Sequence, residues 1–122
     1  PKSLPALVKA SRIQEKVAGV GFDWERPEQV WEKVEEELGE FKDEVKKGNT
    51  DDMEAEFGDV LFSLINYAKH LNINAENALE RTNKKFIKRF QYLEQKSKDL
   101  GKQLEDMTLK EMDVYWEEAK KI

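Results

Sequence analysis

Between Ala75 and Leu100 the chain contains neither a glycine nor a proline. Leu79, Phe86, Phe90 and Leu93 recur within this stretch at helical spacing, so it is expected to form one long helix, closed by Gly101. The remaining segments have the same character. Glycine and proline are sparse, at 6 and 3, and no alternating strand pattern stands out. Four further helices are expected. The first covers Leu4 to Ala18 and ends at Gly19 and Gly21. The second starts at Pro27, a favoured first helical residue, and stops at Gly48 after Lys47. The third is capped by Asn49, Thr50 or Asp51 and ends near Leu71. The last opens on the capping box TLKE, Thr108 to Glu111. Short connections at Gly48 and Asn72 make neighbouring helices antiparallel. The expected fold is an all-α helical bundle in a single domain, residues 1–122.

Charged residues make up 39% of the chain, more than a typical globular domain carries. Its 12 aromatic residues at helical spacing argue against disorder. The net charge of −5 does not favour a nucleic-acid partner. The absence of cysteine excludes disulfides, thiolate metal sites and a cysteine nucleophile, and a cytoplasmic location is expected. The longest apolar run, Val60 to Ala68, is broken by Ser63 and Asn66 and is too short to span a bilayer, so no membrane partner is expected. The start at Pro1 suits a processed terminus or a piece cut from a longer protein.

The acidic residues are unevenly spread. EEELGEF, Glu35 to Phe41, is followed by EAEFGD, Glu54 to Asp59. On the second helix Val30, Val34, Leu38, Phe41 and Val45 form an apolar stripe, with Glu37 about 60° and Glu40 about 120° from its centre on one flank. Glu36 points nearly opposite the core. The third helix is apolar on almost every side and is expected to be buried. Its one polar stripe is Glu56, Asp59, Ser63 and Asn66. Two antiparallel helices thus each offer a carboxylate pair spaced i and i+3. Such crowding is costly unless a hard divalent cation converts repulsion into coordination, and oxygen-only ligation favours magnesium or manganese over zinc. The alternative is that Lys33 or Lys42 neutralises the cluster. Di-iron bundles need Glu-x-x-His pairs, which are missing, and the acidic loop lacks the spacing of a calcium EF-hand. The lone histidine, His70, is expected to sit at a helix end without a chemical role.

The fourth helix carries NKKFIKRF, Asn83 to Phe90. Lys85 and Arg89 lie i and i+4 near its core side, suited to phosphate oxygens, whereas Lys84 and Lys88 are expected to point outward. A solvated basic stripe is the alternative. Trp24, Trp31 and Trp116 fit either a core or a platform for a ring. Walker-type loops and a serine–histidine–carboxylate set are absent.

Glu36-Glu37-x-x-Glu40, fifteen residues, then Glu56-x-x-Asp59, resembles the acidic signature of MazG-type nucleoside triphosphate pyrophosphohydrolases. LPALVKASRIQEKVAGVGFDW is similar to the start of the catalytic second half of tandem-domain MazG proteins, and ALERTNKKFIKRF and Trp116 also fit. The likeness covers nearly the whole chain and implies the all-α NTP pyrophosphatase fold, a helical bundle that pairs with a second copy as a homodimer or higher homo-oligomer. It implies magnesium-dependent hydrolysis of a nucleoside triphosphate to the monophosphate and pyrophosphate. By position, Glu37, Glu40, Glu56 and Asp59 match catalytic metal ligands, Lys85 and Arg89 match phosphate-binding residues, and Trp116 matches a residue near the nucleotide. Ala55 departs from relatives that carry a further acid before the matching Glu56. The competing reading is a non-catalytic helical module whose acidic face binds a basic partner.

Overall fold

The computed structural model describes residues 4–122 and contains five α-helices: α1 (Ala6–Ala18), α2 (Pro27–Lys47), α3 (Thr50–His70), α4 (Ala75–Asp99) and α5 (Leu109–Ala119). Among the described residues there is no strand. All five expected helices form. The first begins two residues later than expected because Pro5 is extended, at φ −54° and ψ 147°. A 3-10 turn, Leu104–Asp106, precedes α5 and has no clear signature in the sequence. No helix among the described residues is long and apolar enough to cross a membrane.

The fold divides into two compact units, the first ending at Ala78 and the second covering Leu79–Ile122, so the boundary falls in the first turn of α4. The core of the first unit is the antiparallel hairpin of α2 and α3. Gly48 makes the reversal possible: it ends α2 in the left-handed conformation, at φ 79°, which side chains disfavour. Asn49 then caps α3 by accepting from the Asp52 N–H at 3.1 Å. Two ring contacts set the register. Trp31 meets Tyr67 at 5.3 Å and Phe41 meets Phe57 at 5.5 Å between centroids. The partners are ten residues apart on each helix, so the contacts lie about 15 Å apart along the hairpin. Val30, Val34 and Val60 fill the space between the helices and are buried.

α1 packs on α3, where Gln14 donates from Nε2 to the Phe62 carbonyl at 2.9 Å. The loop after α1 is tied to the end of α3. Asp23 accepts from Lys69 Nζ at 2.6 Å and meets His70 Nε2 at 2.9 Å, while its Oδ1 also accepts the Trp24 N–H at 2.8 Å. His70 therefore has a structural part: it fixes the aromatic loop.

The expectation that α3 is buried all round is not met. Phe57, Leu61, Phe62 and Leu64 are exposed. Among the described residues of this unit the main helical neighbours of α3 are α2 and α1, and two neighbours cannot cover a helix on every side.

In the second unit Leu93 and Ser97 of α4 are buried together with Met107 and Ala119. Ser97 Oγ donates to the Lys102 carbonyl, Tyr92 Oη donates to Glu118 at 2.7 Å, and Lys102 pairs with Glu111 at 2.9 Å. The TLKE capping box is formed: the Glu111 N–H donates to Thr108 Oγ1 at 3.1 Å, and Glu111 Oε1 accepts the Thr108 N–H at 3.2 Å. Of the residues expected on the core side of α4, Leu93 is buried, while Leu79, Phe86 and Phe90 are exposed.

Burial alone would raise the Asp23 carboxyl, but the hydrogen bonds from Lys69 and His70 outweigh it and hold the group below its ordinary value of 3.8. A depressed carboxylate contributes stability above the unfolded value, and that contribution is lost as pH falls through the folded value. Asp23→Asn is therefore expected to lower the Tm at neutral pH, and its gap from the natural protein should close as pH drops below 3.8. Thermal melts of both proteins across that range check this; a gap that persists in acid refutes the clamp.

Candidate metal centre

The hairpin brings two acidic segments face to face because α2 and α3 run antiparallel with their register locked by the ring contacts. The buried side of α2 is Val30, Val34, Glu37, with Phe41 and Glu44 half-buried along the same line. It is rotated by about 40° from the apolar stripe read in the sequence. Leu38 and Val45 consequently lie outside the seam and are exposed. Glu37 is not on a flank but in the seam itself, at 6% exposure. Hydrophobic pattern alone misplaces the seam, since an acid replaces an apolar residue at its centre.

Glu37, Glu56 and Asp59 each offer one carboxylate oxygen, and the three oxygens lie within 4.8 Å of one another. Glu37 is buried, Glu56 half-buried and Asp59 exposed. Glu40 stands beside this set rather than within it. It is exposed, and its negative charge acts on the Glu56 carboxyl. Glu36 is exposed and turned to Lys33. Lys33 Nζ reaches Glu37 Oε1 at 3.0 Å and Glu36 Oε1 at 3.4 Å. The Glu37 hydrogen bond is the main cause of the raised pKa of Lys33.

A lysine thus does neutralise part of the cluster, but one ammonium is insufficient. Glu37 Oε2 and Glu56 Oε2 are buried without a hydrogen-bond partner. Burial, then the charges of Glu40, Asp59 and Glu37, push the Glu56 carboxyl above its ordinary value of 4.5. Unpartnered buried oxygens, an all-oxygen donor set and excess negative charge together fit a hard divalent cation. Glu37, Glu56 and Asp59 could hold one, with Glu40 next to them.

Two cavities adjoin in the first unit. One of about 270 Å³ is lined by Glu37, Asp59, Lys33 and Ser63, and also by Trp24, Phe62 and Asn66. The last three also line a larger, mainly apolar cavity of about 500 Å³. Trp24 thus lies on a cavity wall rather than in the core. The sequence offers a signal for this only in its loop position.

In the second unit Lys85 and Arg89 line a cavity of about 590 Å³ with Tyr92 and Lys120. Lys84 and Lys88, expected to point away, line the same cavity. Long lysine stems bend across a helix surface, so the angle of the Cα alone does not settle where the ammonium lies. Lys120, in the same basic set, stands far from the others in sequence and has no motif to mark it. Trp116 is half-buried and packs on Phe86 at 5.0 Å.

This pairing of helices and acids has a recognised counterpart. The MazG nucleotide pyrophosphohydrolase domain matches residues 25–93. The chain is 46% identical over 117 residues to a Thermotoga maritima protein named nucleoside triphosphate pyrophosphohydrolase/pyrophosphatase MazG, a match covering 96% of this chain and 45% of that protein. It is 39% identical over 123 residues to the Escherichia coli K12 protein named nucleoside triphosphate pyrophosphohydrolase, covering 99% and 47%. It is also 50% identical over 121 residues to the uncharacterized protein YabN of Bacillus subtilis, covering 98% of this chain and 25% of that protein. The chain belongs to the MazG family of all-α nucleotide pyrophosphohydrolase domains. It spans less than half the length of the curated relatives it matches.

A cation that binds only the folded protein stabilises it, by about 2.7 kcal/mol at a hundredfold excess over Kd. Thermal melts with magnesium or manganese against a chelator are expected to show a higher Tm with the cation. Asp59→Asn should abolish that increase and leave the cation-free protein as stable or more so, because it removes repulsion. Glu36→Gln should keep the increase. An equal loss in both variants would refute the assignment of ligands by direction.

Proposed function

We propose that this domain hydrolyses nucleoside triphosphates to the monophosphate and pyrophosphate, dependent on magnesium. The observation that carries the reading is the convergence of the Glu37, Glu56 and Asp59 oxygens within 4.8 Å, in a chain of the MazG family. Relatives named for this activity support it. Residues 1–122 constitute one catalytic domain in this reading, and its setting is the cytoplasmic nucleotide pool.

Glu37, Glu56 and Asp59, with Glu40 beside them, would hold the cation. Bound magnesium supplies positive charge that polarises phosphate oxygens and makes water a better nucleophile. A carboxylate of the set takes the proton from the attacking water as the bond between the α and β phosphates breaks. Lys85 and Arg89 offset the charge of the phosphates, Arg89 through its planar fork, and this favours departure of pyrophosphate. Trp116 lies near the nucleotide.

We further propose a homodimer. Leu38 and Val45 of α2, with Phe57, Leu61 and Leu64 of α3, leave much of the hairpin's outer surface apolar and exposed. An exposed surface of this kind is an association site more often than a free one.

Incubation with mixed nucleotides and magnesium is expected to release pyrophosphate and monophosphates. Release of orthophosphate alone, or no release, would refute the reading. Lys85→Ala and Arg89→Ala should each weaken triphosphate binding by about 1.5–3 kcal/mol, the worth of a hydrogen bond between charged groups. Both are read as kcat/KM with circular dichroism as the folding control. Sedimentation of the intact chain tests the dimer, which a purely monomeric profile refutes.

A further inference from the structure

Lys33, Glu36 and Glu37 stand on α2 at spacing i, i+3 and i+4, so one lysine stem reaches both acids. The ammonium lies 3.0 Å from Glu37 Oε1 and 3.4 Å from Glu36 Oε1. The two acids differ in their surroundings: the Glu37 side chain is 8% exposed and the Glu36 side chain 56%. The nearer partner is thus the buried one, whose charge is the more costly to leave alone. Support of the helix does not explain the placement, because lysine one turn before glutamate is the weaker order for a helical ion pair. Lys33 also lines the small cavity with Glu37 and Asp59.

Among the described residues, no other lysine, arginine or histidine is paired with Glu37, Glu56 or Asp59. The ammonium would share a carboxylate with any divalent cation held by these three acids. Two positive charges so close together repel strongly where water is largely excluded. The ammonium has another place to go. Glu36 follows one turn after Lys33, faces solvent and already lies near Nζ. Rotation about the terminal bonds of the lysine stem is enough to change partner, and the backbone stays as it is.

We propose that Lys33 is the resident counter-ion of the cation-free centre, and that it passes from Glu37 to Glu36 when a divalent cation binds. The inference rests on the metal-centre reading above. Lys33 and Glu36 act through Glu37, so they are positioning residues and not ligands. Without the cation, the ammonium relieves the repulsion in the seam between α2 and α3. With it, Glu36 draws the ammonium away and leaves the charge of Glu37 to the cation. The exchange gives a part to the first acid of the Glu36-Glu37 doublet, which stands outside the set of converging oxygens.

The test is manganese binding by calorimetry to the intact chain and to three variants, Lys33→Met, Glu36→Gln and the two combined. Lys33→Met is expected to bind at least about fivefold more tightly, because no ammonium has to leave. Its cation-free Tm should fall, because Glu37 is left buried without a counter-ion. Glu36→Gln is expected to bind about fivefold more weakly, since the ammonium then stays with Glu37, while its rise in Tm at saturating cation persists. In the Lys33→Met background the same Glu36→Gln change should alter affinity by less than about twofold, the effect of a solvated, screened charge. Unchanged or weaker binding by Lys33→Met overturns the proposal. So does a Glu36→Gln loss of equal size in both backgrounds, which would make Glu36 a ligand. A measurement on the natural protein decides the matter if Lys33→Met does not fold. Acetylation of its lysines is read by mass spectrometry with Lys102, paired with Glu111, as the reference. Lys33 should react faster in manganese than in chelator, and an unchanged rate overturns the proposal. A natural protein that binds no manganese refutes the metal centre and the exchange with it, whereas equal binding by all four proteins refutes the exchange alone.

Discussion

Repulsion among carboxylates clamped in one hairpin is the constraint on which the first unit depends. Glu37 occupies the seam between α2 and α3, at a position where an apolar residue would ordinarily close the packing. The acids cannot relieve the strain by moving apart. The Trp31–Tyr67 and Phe41–Phe57 contacts and the buried valines hold the helices in fixed register around them. Lys33 offsets one oxygen of Glu37, and the proton affinity of Glu56 rises. Hydrophobic contacts thus keep the acids together, as a set of oxygens that could hold a hard cation.

The unmet polar atoms are concentrated. Among the described residues, the buried side-chain oxygens without a partner belong to Gln14, Glu37, Glu44 and Glu56, all in the first unit. Folded proteins leave few such atoms, because each carries the cost of lost hydration. Two of these four border the metal centre and a third borders the aromatic cavity. The same unit leaves Trp24 and Phe62 partly exposed on the cavity walls. These are the features of a surface shaped for a partner, not for its own packing.

Charge is divided between the units in the same spirit. Residues 1–78 hold 17 acidic and 10 basic side chains, and residues 79–122 hold 9 and 11. The converging acids and the basic cavity lining thus come from separate stretches of sequence. The net charge of −5 conceals this, because the acidic excess of the first unit outweighs the basic cavity of the second.

Helix number and most helix ends were legible in the sequence because they depend on nearest neighbours: Pro27 and the Thr108 capping box start helices, and Gly48 stops one. The acidic pairs were legible for the same reason, as i and i+3 spacing on a helix follows from local geometry. Burial was less so. Leu38 and Val45 read as core and are exposed, and Glu37 read as a flank and is buried. Only packing against α3 sets the rotation of α2, and that packing joins residues far apart in the chain. The unmet oxygen of Gln14 was equally hidden, since it depends on a carbonyl 48 positions away. The sequence by itself determined which helices form and which chemical groups they carry. The tertiary structure alone decided which of those groups face one another, because rotation and register are set by contacts that no local pattern encodes.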